Sequence, residues 1–507
     1  MRATLGEEFE AALRRHRART AVEAGGRSWT YGDLDRWSAA VADQLGRAGV
    51  RRGDAVALYL GNCVEFVVAD VAVARLGAVK VPVNPLLPES TVGHVLEAAR
   101  VRALVLGTGV AGIGERAGAG LPILRVDDGG GPPAGERLTG PADVAPPRLA
   151  VGPADRAAIY FTGGTTGLPK GVVHTQASAV AVQYAQIVEA EIAQDERLLL
   201  MTPLAHAAGL FAQSALVRGA TIVIEPGFDA ARALDLLRTR GVTWTFLVPT
   251  MIYRLLDLTR DREDLPLRTI VYGAAPIAPS RLARALEVFG PVFVQLFGQT
   301  ECPNWGTRLA KHDHDPARPE LLGSCGQASI MADVRVVDDA GWALPPGTTG
   351  EVCLRAPYTL ESYLDNAEAT AAKFLPDGWI RTGDVGLLDD AGYLHLRDRK
   401  ADMVISGGMN VYCREVEDVL VRHPAVARAA VIGVPHEDWG EAVHAVVVPA
   451  GDLDPAALLE WTRGELAAYA RPKSVELVAE LPETPFGKID KKVLRAPHWA
   501  ARDRAIG

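Results

Sequence analysis

The chain has 507 residues, of which 48% are apolar and 23% are charged, and its formal net charge is −9. That length is too great for one ordinary hydrophobic core, so it predicts two or more domains. The mildly acidic balance gives no electrostatic reason to expect nucleic acid or an anionic membrane as a partner.

Cysteine usage and the start of the chain bear on the cellular compartment. Five scattered cysteines without a CxxC pair predict reduced thiols, and neither a zinc site nor a disulfide framework. The first residues lack the pattern of a signal peptide, and no apolar run approaches the ~20 residues that a membrane span needs. We therefore expect a soluble cytoplasmic protein, and the sequence leaves a homodimer open.

The first glycine motif in chain order follows the strand-like run RALVL. Residues 106–112 contain a GxGxxG match that begins at Gly107, and Asp127 follows a second apolar run, where a ribose-binding acid would stand. A dinucleotide-dependent oxidoreductase is therefore one hypothesis for the function of this protein. The helix between the two runs would have only about six residues, which is short for a βαβ unit. The glycine- and proline-rich residues 127–153 are expected to form a surface loop.

A second glycine motif follows an apolar strand at residues 157–161. Residues 162–171 read TGGTTGLPKG. Glycines allow positive φ and close backbone approach, so N–H groups can converge on phosphate oxygens beside the hydroxyls and the lysine. The spacing is not the Walker pattern, because Leu-Pro precedes the lysine and no Ser or Thr follows it. The motif predicts a loop that binds a polyphosphate.

Residues 197–298 alternate apolar runs with helical patterns. The runs are RLLLMTP, ATIVIEP, TWTFLVP, LRTIVYG and VFVQLFG, and the segments between them space apolar residues three and four apart. This alternation predicts a mostly parallel sheet with helices on both faces. Ligands in such sheets bind at the carboxyl ends of the strands, where the segments GAAP and FGQTE fall.

The remaining chain contains a histidine–aspartate run and a compact tail. Residues 312–315 alternate His and Asp on a polar loop, and we expect them to face solvent rather than to bind a metal. Beyond Ala401, REVEDVLVRHP predicts a helix, and ARAAVIGV and AVHAVVV predict strands. The sequence therefore predicts an N-terminal domain at residues 1–400 and a C-terminal domain at residues 401–507.

Taken in chain order, the segments TGGTTGLPKG, GAAP and FGQTE resemble motifs of the adenylate-forming superfamily. That superfamily includes acyl-CoA synthetases, luciferases and peptide-synthetase adenylation domains. The resemblance covers essentially the whole chain. It implies an α/β fold with a large multi-layer N-terminal domain of mostly parallel sheets and a small mobile α+β C-terminal domain. It also implies ATP and Mg²⁺ as cofactors and a small-molecule acid as substrate, activated as an acyl-AMP with release of pyrophosphate.

The resemblance assigns roles residue by residue. Glu301 resembles the Mg²⁺ ligand, Thr300 a phosphate contact, Lys488 the mobile catalytic lysine and His206 the gating histidine. The residues implied in nucleotide binding are Thr162, Gly163, Gly164, Thr165, Thr166, Gly167, Lys170, Gly273, Ala274, Ala275, Pro276, Gln295, Phe297, Gly298, Asp384 and Arg399. The residues implied around the acid are Ala205, His206, Gly209, Met251, Tyr272, Gln299, Cys302 and Pro303.

The acceptor of the activated acid is less constrained. For coenzyme A, the resemblance implies a glycine-walled tunnel and a nucleotide-contacting surface, formed by Gly407, Gly408, Trp439, Tyr469, Arg471 and Lys473. Ala401 stands where the family hinge is usually Lys or Asp, and Met409 stands where Glu is usual. We expect transfer of an aryl or medium-chain acyl group to coenzyme A. Amine ligation, or ATP-dependent nitrite activation that diazotises an aryl amine, remains the alternative.

Overall fold

The structure is a computed structural model that describes residues 2–128, 136–145, 150–162, 169–400, 402–406, 409–483 and 489–499. Its contacts form two compact units: residues 1–334 with 354–380, and residues 335–353 with 381–507. The second unit includes residues 381–400, which the sequence division assigned to the N-terminal domain, because their strands pair with the strand of residues 350–355. The predicted boundary near Ala401 stays a prediction, since Ala401 lies outside the described residues.

Helices occur throughout the described chain. Their bounds are α1 (Leu5–Arg15), α2 (Tyr31–Arg47), α3 (Val64–Arg75), α4 (Glu89–Ala98), α5 (Ala111–Ala117), α6 (Gln176–Glu189), α7 (Ala207–Arg218), α8 (Ala230–Thr239), α9 (Pro249–Leu258), α10 (Pro279–Phe289), α11 (Pro319–Leu322), α12 (Ala367–Lys373), α13 (Cys413–Leu420), α14 (Pro455–Glu465) and α15 (Lys491–Trp499). No helix among the described residues has the length and apolar character needed to cross a membrane.

The strands of the described residues form four sheets. Their bounds are β1 (Thr20–Ala24), β2 (Arg27–Thr30), β3 (Ala55–Tyr59), β4 (Val79–Pro82), β5 (Val101–Gly107), β6 (Ile123–Val126), β7 (Arg156–Thr162), β8 (Lys170–Thr175), β9 (Arg197–Leu200), β10 (Thr221–Ile224), β11 (Trp244–Leu247), β12 (Thr269–Gly273), β13 (Phe293–Gln299), β14 (Cys302–Leu309), β15 (Gln327–Ala328), β16 (Asp333–Val337), β17 (Gly350–Arg355), β18 (Ser362–Tyr363), β19 (Ile380–Leu388), β20 (Leu394–Arg399), β21 (Val404–Ser406), β22 (Met409–Val411), β23 (Val426–His436), β24 (Gly440–Pro449) and β25 (Ser474–Leu477).

The first unit contains a nine-stranded and a seven-stranded sheet. The nine strands run in the order β15-β14-β13-β12-β11-β9-β10-β1-β2, and β9 to β13 pair in parallel. The five apolar runs predicted as parallel strands are thus confirmed. The seven strands run in the order β18-β8-β7-β4-β3-β5-β6. Helices α8 and α10 begin at sequence signals, since Asp229 caps the amide of Arg232 and Pro279 occupies the first turn.

Alternate residues of the nine-stranded sheet pack into two separate cores. Val271 lies in a cluster with Phe211 of α7, whereas its neighbour Tyr272 lies in a second cluster with residues of α8, α9 and α10. Successive side chains of a strand point to opposite faces, so one apolar run supplies both cores. The sheet is therefore covered on both faces, as the continuous apolar runs predicted.

The second unit combines a four-stranded sheet, β16-β17-β19-β20, with a sheet of β21 to β25. Val416 and Leu420 of helix α13 pack in a core cluster that also contains Val431 of β23 and Val443 of β24. The predicted tail helix and both predicted tail strands are confirmed. The fold class, a mixed α/β protein with a large sheet unit and a small C-terminal region, is also confirmed.

Candidate active site

The predicted phosphate loop connects two antiparallel strands. Thr162, the last residue of β7, pairs with Lys170, the first residue of β8. The other predicted phosphate-binding residues, Gly163, Gly164, Thr165, Thr166 and Gly167, lie outside the described residues. The pairing of Thr162 with Lys170 brings a hydroxyl and an ammonium group to the two ends of the loop. That placement agrees with the absence of a Walker pattern, whose loop leads into a helix.

Glu301 is held by side chains from two other elements. The Tyr363 hydroxyl donates to Glu301 Oε1 at 2.6 Å, and Lys373 Nζ lies 3.8 Å from the same oxygen. Burial and the nearby carboxylate raise the pKa of Tyr363 well above its usual range, so its hydroxyl keeps the proton that it donates. Lys170 Nζ lies 5.4 Å from the centre of the Tyr363 ring. Tyr363 therefore links the predicted phosphate lysine to the predicted metal ligand.

A buried histidine fixes the backbone beside Glu301. His174 Nε2 lies 2.8 Å from the carbonyl oxygen of Thr300, which can only accept, so the ring nitrogen donates. Burial lowers the pKa of His174, which keeps the ring neutral. Gly298 leaves room for this turn, because a Cβ atom there would stand 2.7 Å from backbone atoms of Asn304. The Phe297–Glu301 segment is thus positioned by β8 and by close backbone packing.

The residues around Glu301 fit a magnesium ion bound together with phosphate. Mg²⁺ is usually held by one or two carboxylates while phosphates and water fill its other positions. Both described contacts of the Glu301 carboxylate fall on Oε1, and Lys373 also reaches Gln299 Oε1 at 3.3 Å. The carboxylate is oriented before any ion arrives.

The His206 ring is held by a hydrogen bond to Asn84. It precedes α7, and its Nε2 lies 2.9 Å from Asn84 Nδ2. The backbone N–H of Leu86 donates to Asn84 Oδ1, which orients the amide so that its nitrogen faces His206. Nε2 therefore accepts, and the proton resides on Nδ1. Desolvation lowers the pKa of His206 to about 4, so the ring stays neutral at physiological pH.

Asn62 and Asn84 are functional candidates that sequence reasoning missed. Asn62 accepts from the N–H of Leu204 at 2.9 Å and donates to the carbonyls of Thr202 and Glu225, so it fixes the loop that leads to His206. Both asparagines follow strands of the seven-stranded sheet, β3 and β4. A polar residue just beyond the carboxyl end of a parallel strand is the signal that could have identified them.

Some of the residues predicted around the acid pack in two different core clusters of the first unit. Ala205 is buried beside α7, and Cys302 lies in the same core cluster as α7. Met251 and Tyr272 pack in the other cluster, and the Tyr272 hydroxyl is bonded to His314 Nε2 at 3.1 Å. Tyr272 and Met251 thus pack in a different core cluster from Cys302, and their contact with the acid stays a prediction.

Gly209 is needed for close backbone packing, which the sequence did not predict. A Cβ atom there would stand 2.1 Å from the carbonyl oxygen of Leu204. The glycine therefore lets the first turn of α7 approach the loop that carries His206. Nearby, Pro303, Leu210 and Gln213 line a small cavity of about 20 Å³, closed on one side by the buried ion pair between Lys80 and Asp70.

The predicted adenine edge shows two features typical of a ligand site. Ala274 has φ of 65°, a left-handed conformation that is uncommon for alanine and that often marks functional sites. Gln295 Oε1 is buried and has no hydrogen-bond partner within the described chain. An unsatisfied buried acceptor suits an amino group such as that of adenine. Gly273 ends β12 where a Cβ would stand 2.5 Å from the Leu296 carbonyl, and Ala275 and Pro276 continue the loop.

Comparisons with known proteins agree with this geometry. The AMP-binding enzyme family matches residues 9–364, and the AMP-binding enzyme C-terminal domain matches residues 415–488. The chain belongs to the AMP-binding enzyme family.

Individual relatives cover most of this AMP-binding enzyme. A feruloyl-CoA synthase of an Amycolatopsis species is 40% identical over 483 residues, which cover 94% of this chain and 95% of that enzyme. The medium/long-chain-fatty-acid–CoA ligase FadD8 of Mycobacterium tuberculosis is 40% identical over 360 residues, which cover 69% of this chain and 62% of that enzyme. The solved amide bond synthetase McbA from Marinactinospora thermotolerans has a TM-score of 0.85 and 34% identity, covering 97% of this chain and 99% of that chain.

The predicted family is thus confirmed, and the chain is an ATP-dependent, AMP-forming ligase.

In the second unit of this AMP-binding enzyme, the two predicted ribose residues are cross-strand partners. Asp384 of β19 pairs with Arg399 of β20, and Arg399 Nε lies 3.6 Å from Asp384 Oδ1. The Thr382 hydroxyl donates to the Val352 carbonyl and accepts from the N–H of Asp384. Asp384 is buried while Arg399 is exposed. The pairing supplies a carboxylate and a guanidinium at one place, and their contact with ribose stays a prediction.

The predicted coenzyme A surface is brought together only in part. Lys473 Nζ lies 5.1 Å from the centre of the Trp439 ring, which also stacks on His436 at 4.2 Å. Arg471 instead donates to the carbonyls of Leu466 and Arg463, where it closes the end of α14. Tyr469 is 43% exposed. Gly407 and Gly408, like Lys488, lie outside the described residues.

One expectation from the sequence, that the histidine–aspartate run faces solvent, is corrected by the structure. Asp313 and His314 do not face solvent, since each is only 5% exposed. Of the two histidines in the run, His312 is the exposed one. His314 is buried because its Nδ1–H donates to the Ala310 carbonyl while its Nε2 accepts from Tyr272. Burial lowers the pKa of His314 to about 4.

The GxGxxG segment serves a structural purpose. Asp128 accepts from the N–H groups of Gly61 and Gly109, and a Cβ on Gly107 would stand 1.9 Å from its Oδ2. The carboxylate therefore fills the backbone recess that a pyrophosphate would need. Helix α5 has seven residues, which agrees with the short helix that argued against dinucleotide binding.

Proposed function

We propose that this ligase activates a small carboxylic acid, of the aryl or medium-chain class, and transfers the acyl group to coenzyme A. The observation that carries the proposal is the linked set of Lys170, Tyr363 and Glu301, because one tyrosine contacts both a positively charged side chain and an oriented carboxylate. Adenylation joins two anions, so the protein must mainly position them and supply positive charge.

The first step is a displacement at the α-phosphorus of ATP. An acid oxygen forms a bond to that phosphorus, the bond to pyrophosphate breaks, and the products are acyl-AMP and pyrophosphate. Lys170 and the hydroxyl of Thr162 would hold the β- and γ-phosphates. Mg²⁺, when bound at Glu301, supplies positive charge to the phosphate oxygens. Lys488 would neutralise the acid oxygen as it attacks.

The second step transfers the acyl group from AMP to a thiol. The thiol loses its proton to solvent, the sulfur forms a bond to the acyl carbon, and AMP leaves with the electron pair of the broken bond. Trp439 and Lys473 would contact the nucleotide of coenzyme A, because an aromatic ring can stack on adenine and an ammonium suits a phosphate. The match to a feruloyl-CoA synthase supports an aryl acid and a coenzyme A acceptor.

A small acid is favoured by the polar boundary near the predicted pocket. Gln213 donates to Asp70, which also pairs with Lys80 at 2.8 Å, and all three side chains are buried. Breaking a buried ion pair leaves an uncompensated charge and costs several kcal/mol, roughly 3–5. A long apolar chain that displaced this network would be penalised, so we expect the acid to be compact.

The second candidate function is transfer to an amine, or activation of nitrite with diazotisation of an aryl amine. Two observations favour this second function. The solved amide bond synthetase matches nearly the whole chain, and Met409, 48% exposed, stands where the family usually has a glutamate.

A panel experiment separates the two functions. The enzyme is incubated with ATP, Mg²⁺ and a set of aryl, medium-chain and long-chain acids, and with nitrite plus an aryl amine, each with and without coenzyme A. AMP release that rises with coenzyme A for an aryl or medium-chain acid supports the ligase. AMP release that ignores coenzyme A for every productive acid contradicts it.

The Lys488→Ala variant tests the adenylation step separately. We expect it to lose acid-dependent adenylate formation while ATP binding stays largely intact, because the lysine acts on the attacking oxygen. Unchanged exchange of pyrophosphate into ATP would contradict the role of Lys488.

A further inference from the structure

Three potential metal ligands meet in the C-terminal part of the chain, apart from the residues of the candidate active site. His444 lies on β24, Glu476 on the neighbouring strand β25, and His498 near the end of α15. One ligand atom from each lies within 4.8 Å of the other two. Within the described ranges, this is the one group of three His, Cys, Asp or Glu side chains with ligand atoms so close.

The buried histidine offers an unsatisfied nitrogen at this point. His444 is 6% exposed, and its Nε2 is buried without a hydrogen-bond partner among the described residues. Buried polar atoms normally have a partner, so an orphaned imidazole nitrogen requires an explanation. Its nearest acid is Glu476, with Oε2 at 3.5 Å, and the rings of His444 and His498 lie 5.0 Å apart.

The orientation of the His444 ring suits ligation through Nε2. Its other nitrogen, Nδ1, lies 2.7 Å from the Ser474 hydroxyl. A hydrogen bond on the distal nitrogen fixes the ring and leaves the other nitrogen to a metal, as is usual for metal-binding histidines. The pairing of β24 with β25, in which His444 stands opposite Ser474, fixes this contact in the sheet.

We propose that His444, Glu476 and His498 form a site for one divalent zinc-type ion. Two imidazoles and a carboxylate, with water in a fourth position, are a usual ligand set for Zn²⁺. Tetrahedral ligands about 2.0–2.2 Å from an ion stand roughly 3.5 Å apart, which the His444–Glu476 separation already meets. Glu476 and His498 are exposed, so their side chains can close the remaining distance by changing rotamer.

The ion would join the last described helix to the central strands of the tail. Helix α15 is also held by Lys491, which pairs with Glu417 at 2.7 Å, and by Arg495, which pairs with Asp402 at 3.2 Å. In sequence, α15 begins directly after the segment that carries Lys488 and Asp490. A metal at His498 therefore anchors the chain on the C-terminal side of the predicted catalytic lysine.

The test uses the full-length chain without an affinity tag, treated with a chelator and then freed of it, in the absence of nucleotide and Mg²⁺. Zn²⁺ binding is measured by competition with a chromophoric chelator, and Co²⁺ is added as a spectroscopic probe. We expect one Zn²⁺ per chain and a visible Co²⁺ absorption band of the tetrahedral type. We also expect the melting temperature to rise with Zn²⁺, because an ion that binds only the folded state stabilises it.

Two exposed ligands can be replaced without leaving a buried polar atom. Glu476→Gln and His498→Gln are each expected to weaken Zn²⁺ binding by roughly 10–100-fold and to abolish the Co²⁺ band. The matched control is His312→Gln, which removes an exposed histidine that is distant in sequence from the three ligands. It should leave the Zn²⁺ affinity and the Co²⁺ band unchanged.

The proposal is overturned if the chain binds less than one Zn²⁺ at micromolar concentration. It is also overturned if Glu476→Gln and His498→Gln retain wild-type affinity, or if His312→Gln weakens binding as much as they do. Since none of these measurements involves ATP, acid or coenzyme A, the outcome is independent of the proposed ligase activity.

Discussion

The surroundings of Glu301 in the first unit and the predicted coenzyme A surface of the second unit are built in opposite ways. Glu301 is contacted by Tyr363 and Lys373, and its backbone is fixed by a buried histidine. Trp439 and Tyr469 are 40% and 43% exposed, and Trp439 is contacted by the stacked ring of His436 and by the Lys473 ammonium.

This difference agrees with the demands of the two steps. Charge development at a phosphorus atom is stabilised best by groups that are oriented in advance and shielded from water. The nucleotide portion of coenzyme A only has to be bound, so exposed aromatic and basic side chains are sufficient. Substitutions in the first region should therefore change catalysis, whereas those in the second should change acceptor binding.

The largest expected effect is that of Glu301→Gln. The change removes the negative charge that suits Mg²⁺ but preserves the shape of the side chain, so kcat for adenylation should fall by roughly 10³-fold. Pyrophosphate exchange measures the effect. Glu368→Gln, an exposed position in the first turn of α12, is the control and should retain wild-type activity.

The next effect concerns stability as a function of pH. The pKa of His314 is about 4 in the folded protein, below the usual 6.5, so the unfolded state binds the proton more readily between these values. The free energy of unfolding should therefore fall as pH is lowered from 6.5 towards 4, by about 3 kcal/mol for this residue.

Denaturant unfolding of His314→Gln isolates this contribution. Between pH 6.5 and 4.5, the free energy of unfolding should fall less in the variant than in the wild type, because the contribution of His314 is missing. Each protein is compared with its own free energy of unfolding at pH 7. The exposed His312→Gln should keep the wild-type slope. An identical slope in all three proteins would show that the buried ring does not titrate as expected.

Tyr363→Phe should have a smaller effect on activity. The variant loses the hydrogen bond to Glu301 but keeps the ring beneath Lys170, so adenylation should slow by about tenfold. Tyr184→Phe is a matched control, because its hydroxyl also donates to a carboxylate, that of Glu8, away from the site. Equal losses in both variants would indicate general destabilisation instead.

The smallest expected effect is that of Lys473→Ala. Because the ammonium lies over the exposed Trp439 ring, its removal should raise the KM for coenzyme A by roughly fivefold and leave adenylate formation unchanged. Arg422→Ala, an exposed basic residue just after α13, is the control. A fall in adenylation with unchanged KM would contradict the division between the two regions.

Local patterns predicted the elements of the fold well. The apolar runs that became β9 to β13 indicate their burial directly, and Asp229 and Pro279 mark helix starts within a few residues. The sequence also predicts site roles for Glu301 and Lys170, because the motifs that carry them are contiguous in sequence, and these roles stay predictions.

The supporting contacts could not be predicted in the same way. Tyr363 is 62 residues from Glu301 in sequence, His174 is 126 from Thr300, and Asn84 is 122 from His206. Each stands in an ordinary strand or loop pattern, and only tertiary pairing reveals its partner. His314 was expected at the surface for the same reason, since its two hydrogen bonds are invisible in a polar HDHD run.

The hairpin that joins Thr162 to Lys170 has an electrostatic consequence. In loops that lead into a helix, the aligned peptide dipoles place partial positive charge at the bound anion. Here the chain returns along β8 instead, and the next helix, α6, begins only at Gln176. If the predicted loop binds the triphosphate, no helix that directly follows it directs a macrodipole at the anion, and Lys170 carries more of the compensating charge. We therefore expect nucleotide affinity to fall as ionic strength rises.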